Sequence, residues 1–255
     1  MQGAHNQLRV AVAGCGGLAR RYHLRALSRM PGVRVVAVAD PDPSARGHAA
    51  RTTGAAAYAD PYQAILRPDV DAVVVCAPPA AHADLAIAAL EAGRHLYLEK
   101  PIATSSADGR RVAAAAASSG TVTAIGLAYR FDPLYDRARA LLGEGVIGTL
   151  REVSTAYHEP GRPGRGGALV DLGVHHLDLL TWLTGETLAA FDDSELRHEH
   201  ERVHAELSGG AQVEASFGYG GPRRCGCVIA GSDGWLAVDR CMRRMTLARG
   251  DVHLP

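Results

Sequence analysis

The sequence contains almost no lysine. Lysine and arginine together number 27, and reading the chain shows that Lys100 is the single lysine, so arginine supplies the other 26 basic residues. Arginine stays protonated in proteins, whereas a lysine amine can act as an acid or base when its surroundings shift it. One lysine can also survive by chance, so any role of Lys100 depends on its neighbours.

Several other classes of residue are scarce or balanced. Aromatic residues make up 5% of the chain, and the 27 basic residues are offset by 27 acidic ones. Binding to nucleic-acid phosphates needs clustered positive charge, so we expect no nucleic-acid partner. No apolar run approaches ~18 residues, and the first residues lack a signal-peptide pattern. We therefore expect no membrane span and a cytoplasmic location.

The cysteines do not form a disulfide framework. Five is an odd number, and their spacing matches neither a disulfide scaffold nor a usual zinc site. They are Cys15, Cys76, Cys225, Cys227 and Cys241. We expect them to be reduced and mainly to fill space in the protein core.

The first half of the 255 residues alternates between strand and helix patterns. This alternation predicts a parallel sheet with helices on both faces. The predicted strands are Leu8–Ala13, Val33–Ala39, Ala72–Val75, His95–Leu98 and Val122–Leu127. Helices are predicted from the glycine-rich turn to about Met30 and over Pro43–Thr53, Ala80–Ala92 and Ser105–Ser119. We place the domain boundary within residues 122–128, giving domains 1–124 and 125–255.

The second half has a different texture, which predicts a mostly antiparallel sheet with one or two helices. Its predicted helices are Leu134–Leu142 and Leu169–Leu183. The predicted strands are Leu150–Tyr157, Val203–Leu207, Gln212–Phe217, Arg224–Ala230, Trp235–Val238 and Met245–Leu247. The turn at residues 208–210 joins two of these strands as a hairpin. The fold class is therefore α/β with a second α/β domain.

A glycine-rich loop between the first strand and the first helix carries the dinucleotide-binding pattern G-x-G-x-x-A. Gly14 allows the turn, Gly16 lets a pyrophosphate approach, and Ala19 permits close packing. Asp40 ends the second strand, where a carboxylate accepts hydrogen bonds from ribose hydroxyls and repels a 2′-phosphate. NAD is therefore favoured over NADP, with Arg46 too far along the next helix to reverse this. A purely structural glycine turn is the alternative.

Further motifs resemble those of the Gfo/Idh/MocA family of dinucleotide-dependent oxidoreductases. They are the residues 77–82 (Ala-Pro-Pro-Ala-Ala-His), 99–101 (Glu-Lys-Pro), 126–131, 145–148 and 166–178. The last of these contains the Asp-x-x-x-His pair Asp171 and His175. The motifs follow in order from Leu8 to about Val238, and their combination is more specific than any one of them.

The resemblance implies a Rossmann domain, a second domain with an open sheet, and three catalytic residues facing the nicotinamide: Lys100, Asp171 and His175. The cofactor contacts that we expect are Gly14, Gly16, Gly17, Leu18, Asp40, Ala77, Pro78, His82, Glu99 and Lys100. The substrate contacts that we expect are Lys100, Tyr129, Arg130, His158, Asp171, His175 and His176. For His82, packing beside the cofactor is an equal alternative.

The residues themselves agree with these roles, although simpler explanations exist. Asp171, His175 and Asp178 lie on one helix face, where a carboxylate can orient an imidazole for proton transfer. An Asp near a helix start can instead be a cap, and a single His is more often a buried structural residue. Arg162 and Arg165 could bind an acidic substrate but are more simply solvated.

A histidine-rich segment invites a metal interpretation, which we do not favour. His198 and His200 share a strand face, and Glu199 and His204 lie close in sequence. A zinc site needs three or four converging ligands, and no second cluster is evident. We therefore predict no metal.

The expected activity is NAD-dependent hydride transfer between nicotinamide and a secondary alcohol or ketone of a sugar, cyclitol or related polyol. One alternative is an NAD-binding sensor or corepressor without turnover. Another is a redox-neutral or imine-reducing variant. Family members usually exceed 300 residues, so we expect the C-terminal helices to be absent. The open sheet of this family commonly mediates dimers, which predicts a homodimer or higher oligomer.

Overall fold

The computed structural model describes residues 7–161, 167–192 and 200–250. The chain divides into two compact units, Met1–Gly126 and Leu127–Pro255, which we call the N-terminal and C-terminal domains. None of the described helices is both long and apolar enough to cross a membrane.

The N-terminal domain is a six-stranded sheet in which every neighbouring pair of strands is parallel. Its strands are β1 (Leu8–Ala13), β2 (Val33–Ala39), β3 (Ala56–Tyr58), β4 (Ala72–Val75), β5 (His95–Leu98) and β6 (Thr123–Ile125). Their spatial order is β3-β2-β1-β4-β5-β6. This order reverses direction between β1 and β4, as in doubly wound dinucleotide-binding folds.

Helices cover both faces of this sheet. They are α1 (Leu24–Leu27), α2 (Pro43–Thr53), α3 (Pro61–Ile65), α4 (His82–Glu91) and α5 (Ser106–Ser119). A π-helical turn, Ala19–His23, leads directly into α1. Because both faces are covered, β1 is apolar on each of them: Val12 packs in one core cluster and Ala11 in the other.

The predicted strands of this domain are confirmed, and two short elements were missed. Strand β3 has three residues and helix α3 has five, which is too short to show a clear periodic pattern. Asp60 caps α3 by accepting a hydrogen bond from the backbone N–H of Tyr62 at 2.9 Å. Such a cap is the local signal that could have located this helix.

The C-terminal domain has a mixed sheet of seven strands. They are β7 (Leu150–Glu159), β8 (Leu188–Asp192), β9 (His200–Leu207), β10 (Gln212–Tyr219), β11 (Arg224–Gly231), β12 (Gly234–Asp239) and β13 (Arg244–Arg249). Their order is β13-β12-β11-β7-β10-β9-β8. Only the β7–β10 pair is parallel among the described pairs, so the sheet is mostly antiparallel, as predicted.

Two helices pack on one face of this sheet, α6 (Pro133–Gly143) and α7 (Val174–Thr184). A second π-helical turn, Leu169–Gly173, precedes α7 within the predicted helix. Along β9, buried and exposed residues alternate strictly, so one side chain in two points toward the helices. Strand β8 was missed, since four of its five residues are exposed and show no alternation.

Candidate active site

The candidate residues of the N-terminal domain follow the carboxyl ends of its strands. The glycine loop follows β1, Asp40 follows β2, Ala77 and Pro78 lie just beyond β4, and Glu99 and Lys100 follow β5. Since parallel strands end at one edge, these residues lie along the same edge of the sheet, which is where ligands bind in open α/β sheets.

The backbone at residue 14 can accommodate only a glycine. Its φ is +94°, and a Cβ built there would lie 2.5 Å from the backbone nitrogen of Ala77. A side chain at this position would therefore overlap the loop that follows β4. The absence of a side chain at Gly14 thus allows the loops after β1 and β4 to lie close together.

Gly16 and Gly17 are not required by packing within the protein. A Cβ built at either residue would meet no protein atom within 4 Å. The space beside the loop is therefore open to a ligand, next to the first amides of a helix that favours anionic groups. Leu18, also a predicted cofactor contact, is 45% exposed.

The Asp40 carboxylate is fixed by two backbone amides. Its Oδ2 accepts from Cys15 N at 2.7 Å and its Oδ1 from Asp42 N at 2.9 Å. Each oxygen keeps a further lone pair for a ribose hydroxyl. Burial, and then the charge of Asp40, raise the pKa of the Cys15 thiol to about 12, so Cys15 stays a neutral packing residue.

Lys100 lies in a segment that is held on both sides. Its backbone N donates to Glu99 Oε2 at 3.2 Å, and Glu99 itself is 8% exposed. The neighbouring Pro101 carbonyl contacts His82, whose ring is 1% exposed. Of the two sequence interpretations of His82, the structure shows the packed ring, and a cofactor contact from it stays a prediction.

These residues fit a dinucleotide. The open space at Gly16 and Gly17 would take the pyrophosphate, and the fixed carboxylate of Asp40 would take ribose hydroxyls. NAD(P) would supply a nicotinamide that accepts or donates hydride.

In the C-terminal domain, Asp171 and His175 lie one helical turn apart. Asp171 belongs to the π-helical turn, and His175 is the second residue of α7. Asp171 Oδ2 accepts a hydrogen bond from the Tyr219 hydroxyl at 2.6 Å. Burial, and then this hydrogen bond, raise the pKa of Tyr219, so the phenol remains a donor to the carboxylate.

His175 lies against an aromatic surface. Its ring stacks on Tyr129 with centroids 4.8 Å apart, and Tyr157 lies 6.4 Å away. The Arg240 guanidinium lies 4.4 Å from the centroid of the Tyr129 ring and donates from Nε to Asp132 Oδ2 at 2.9 Å. These contacts fix the plane of the imidazole.

His176 is fully buried, with 0% exposure. Its Nδ1 is 2.5 Å from Thr155 Oγ1, whose hydroxyl donates to Gly226 O at 3.0 Å. Nδ1 therefore carries the proton, and Nε2 faces Cys225 Sγ at 3.5 Å. Burial lowers the pKa of His176 to about 3, so the ring is neutral near pH 7. The predicted substrate contact stays untested, and this position suits a supporting residue.

Two other predicted substrate contacts are engaged elsewhere. Arg130 forms a two-point ion pair with Asp178, in which Nε donates at 2.8 Å. His158 bonds through Nε2 to Ser216 Oγ at 2.9 Å. Successive side chains of β7 point to opposite faces of the sheet, and Tyr157 faces the helices. His158 therefore lies on the other face of the sheet. The structure therefore does not bring His158 to Asp171 and His175.

Some predicted residues lie outside the described residues, namely Arg162, Arg165, His198 and Glu199. Within residues 7–161, 167–192 and 200–250, no group of three His, Cys, Asp or Glu could hold a metal ion.

Sequence reasoning missed three residues that contact the candidate groups: His23, Tyr157 and Tyr219. Tyr157 and Tyr219 share the helix-facing parity of β7 and β10, which was available from the strand alternation. No local signal pairs His23 with Glu99, 76 residues away.

The chain matches two family models in the order of its domains. Residues 8–127 match the model described as "Oxidoreductase family, NAD-binding Rossmann fold". Residues 135–237 match the model of the "GFO/IDH/MocA C-terminal domain". The two matches together cover most of the chain.

Among curated relatives, a dTDP-3,4-didehydro-2,6-dideoxy-alpha-D-glucose 3-reductase of Streptomyces violaceoruber is 34% identical over 252 residues, covering 91% of this chain and 73% of that protein. Inositol 2-dehydrogenase 2 of Saccharopolyspora erythraea is 34% identical over 187 residues, covering 71% of this chain and 55% of its own length.

A solved structure is also similar. The 3-ketoreductase KijD10 of Actinomadura kijaniata, in complex with TDP-benzene and NADP, has a TM-score of 0.83 and 27% identity. The alignment covers 97% of this chain and 82% of KijD10.

Proposed function

The chain belongs to the Gfo/Idh/MocA oxidoreductase family, and we propose that it transfers hydride between NAD and a secondary alcohol or ketone of a sugar or cyclitol. The relatives named above act, by their names, on a nucleotide-linked keto sugar and on inositol. Both substrates are six-membered rings that carry a carbonyl or a carbinol at a ring carbon. A sugar or cyclitol ring with a carbonyl or a reactive carbinol is therefore the substrate class that we assign.

The observation that carries the proposal is the pair of Asp171 and His175. The two residues lie one helical turn apart, and each is fixed by a separate aromatic residue, Asp171 by Tyr219 and His175 by Tyr129. A fixed imidazole beside a fixed carboxylate is an arrangement for moving a proton, and oxidation of an alcohol requires loss of the hydroxyl proton along with the hydride.

The roles follow from the chemistry of each group. His175 takes the hydroxyl proton during oxidation and returns it during reduction, while Asp171 stabilises the charged imidazole. Lys100 donates a hydrogen bond to the substrate oxygen and stabilises negative charge that develops on it. Tyr129 keeps the His175 ring in plane.

We assign NAD as the preferred dinucleotide because of Asp40. Its carboxylate is held in place by the amides of Cys15 and Asp42, so it cannot easily turn away from a 2′-phosphate. Arg46 donates instead to the carbonyl oxygens of Pro41, at 2.9 Å, and Asp40, at 3.3 Å. The KijD10 structure holds NADP, so both dinucleotides are compared in the titration below.

The test is a titration of the purified protein with NADH and NADPH followed by cofactor fluorescence. Absorbance assays with inositols, keto sugars and nucleotide-linked keto sugars then follow. We expect tighter binding of NADH and turnover with one of these classes. Binding without turnover on the whole panel would favour a sensor, and no binding of either cofactor would contradict the proposal.

We also propose a cytoplasmic homodimer that associates through the sheet of the C-terminal domain. The helices α6 and α7 pack on one face, whereas on β9 the residues of the other face are exposed: His200, Arg202, His204 and Glu206. Light scattering should give twice the chain mass of 26.8 kDa. A monomer mass at micromolar concentration would contradict this proposal.

A further inference from the structure

Two histidines contact the residues on either side of Lys100. His23 Nε2 lies 2.7 Å from Glu99 Oε1, and His82 Nδ1 lies 2.6 Å from the carbonyl oxygen of Pro101. We propose that His23 and His82 are positioning residues that together fix the backbone of Lys100. The inference rests on the proposed role of Lys100 in hydride transfer.

On the His23 side, one carboxylate joins the first helix to the Lys100 backbone. Glu99 Oε1 bonds His23, the last residue of the π-helical turn, and Oε2 accepts from Lys100 N at 3.2 Å. Both side chains are shielded, with 18% of His23 and 11% of Glu99 exposed. A shielded pair of this kind holds its geometry better than a surface ion pair.

Close packing keeps this carboxylate in place. A Cβ built at Gly126 would lie 2.9 Å from Glu99 Oε2 and 3.0 Å from the Tyr97 hydroxyl. The Tyr97 ring lies 5.3 Å from the ring of His23. Glu99 is therefore confined by Gly126 while it is bonded to His23.

On the His82 side, one ring joins two loops. His82 Nε2 lies 2.8 Å from the carbonyl oxygen of Ala77, beyond β4, and Nδ1 faces the carbonyl of Pro101, beyond β5. The ring therefore lies between the carbonyl oxygens of the two loops. His82 is 1% exposed, so these contacts are shielded from bulk solvent.

His23 and His82 determine where the Lys100 amine lies, but they do not take part in the reaction themselves. Both histidines bond the neighbours of Lys100, so their removal should let the Lys100 backbone shift. A shift of about 1 Å at a reacting group can cost ~100-fold in rate. The loss should therefore appear in kcat, and in the His23 variants NADH affinity should change little.

The single lysine provides a readout that does not depend on activity. Protein labelled with [ε-13C]lysine gives one lysine signal, that of Lys100. We would compare His82→Leu, His82→Gln, His23→Phe and His23→Gln with the wild type, by this signal, by kcat and by the Kd for NADH. His48→Leu is the matched control, since His48 is exposed on α2.

We expect His82→Leu and His23→Phe to shift the Lys100 signal and to lower kcat about tenfold or more. The Kd for NADH of His23→Phe should stay within about threefold of wild type. His23→Gln keeps a donor for Glu99 and should restore most of kcat. His48→Leu should match the wild type.

Folded His82 and His23 variants with an unchanged lysine signal and unchanged kcat would overturn the inference. If His82→Leu does not fold, His82→Gln and the His23 variants decide. If the wild type shows no turnover, the proposed function fails, yet the lysine signal still shows whether the two histidines position Lys100.

Discussion

In the N-terminal domain Gly14 and Asp40 are held by backbone, whereas in the C-terminal domain Asp171 and His175 are held by other side chains. Gly14 lies against the backbone of Ala77, and Asp40 accepts from two backbone amides. Asp171 and His175 depend instead on Tyr219 and Tyr129, which lie 48 and 46 residues away in sequence.

Because of this difference, the two groups of residues should respond differently to substitution. A loop fixed by backbone contacts tolerates changes in most neighbouring side chains but not an added Cβ at a crowded glycine. A cluster fixed by side chains keeps its fold when one member changes, but the geometry of the reacting group shifts. Substitutions at Gly14, Gly16 or Asp40 should therefore act on stability or cofactor affinity, and those at Tyr129 or Tyr219 on turnover.

The largest expected effect is at Lys100, which lies in the same domain as Gly14 and Asp40 but should act on turnover. Replacing Lys100 by Met removes the amine and should lower kcat by about 100- to 1,000-fold, which is the usual cost of losing one donor to a developing oxyanion. NADH binding, followed by fluorescence, should persist. Lys100→Arg keeps the charge but not the geometry and should also be inactive. A rate near that of the wild type would contradict the role of Lys100.

The next effect compares two glycines of one loop. Gly14→Ala puts a methyl group 2.5 Å from backbone atoms at a φ of +94°, and should destabilise the protein by about 3 kcal/mol or more. Gly16→Ala meets no protein atom and should leave stability within about 0.5 kcal/mol while weakening NADH binding. Denaturant unfolding and NADH titration separate the two outcomes. Equal losses of stability would break the distinction.

The same contrast explains how far the sequence could predict the structure. The positions of Gly14, Asp40 and Lys100 follow from local spacing, because each comes within two residues of the end of a strand whose apolar run is visible in the sequence. Asp171 and His175 were also located by local spacing. Their functional roles stay predictions.

What the sequence could not supply are contacts that depend on strand register across dozens of residues. Tyr219 reaches Asp171 because β10 pairs with β7 over its full length, and no local pattern encodes that pairing. The case of His158 is different, because the information was present in the sequence. His158 lies one residue from Tyr157 and therefore points to the opposite face of the sheet. The alternation of side chains along β7 would have indicated which face His158 occupies.

A third prediction concerns acid stability in the C-terminal domain. The pKa of His176 is lowered from 6.5 to about 3 by burial, so below pH 6.5 the unfolded chain takes up a proton that the folded protein does not. Its contribution to stability is therefore present above pH 6.5 and is lost as the pH falls toward 3, at up to about 1.4 kcal/mol per pH unit.

His176→Gln removes this titration while keeping a donor and an acceptor. Between pH 7 and pH 4.5 the free energy of unfolding should fall about 2 to 3 kcal/mol less in the variant than in the wild type. Between pH 7 and pH 9 the two curves should run parallel. Identical curves below pH 6 would show that His176 is not the group responsible.

The smallest expected effect is the most direct test of a site held by side chains. Tyr219→Phe removes one hydroxyl, whose hydrogen bond to Asp171 is 2.6 Å long, and leaves the ring in place. A hydrogen bond to a charged group contributes about 1.5 to 3 kcal/mol, so a loss that falls on the reacting geometry should lower kcat about tenfold. The Kd for NADH should not change, because Asp40 and the glycine loop belong to the other domain.

Tyr62→Phe is the control, because Tyr62 is an exposed tyrosine of α3 in the N-terminal domain, and this variant should keep the wild-type kcat. A Tyr219→Phe variant with weaker NADH binding and an unchanged kcat would contradict this comparison. It would show that a side chain of the C-terminal domain affects cofactor affinity and does not affect turnover.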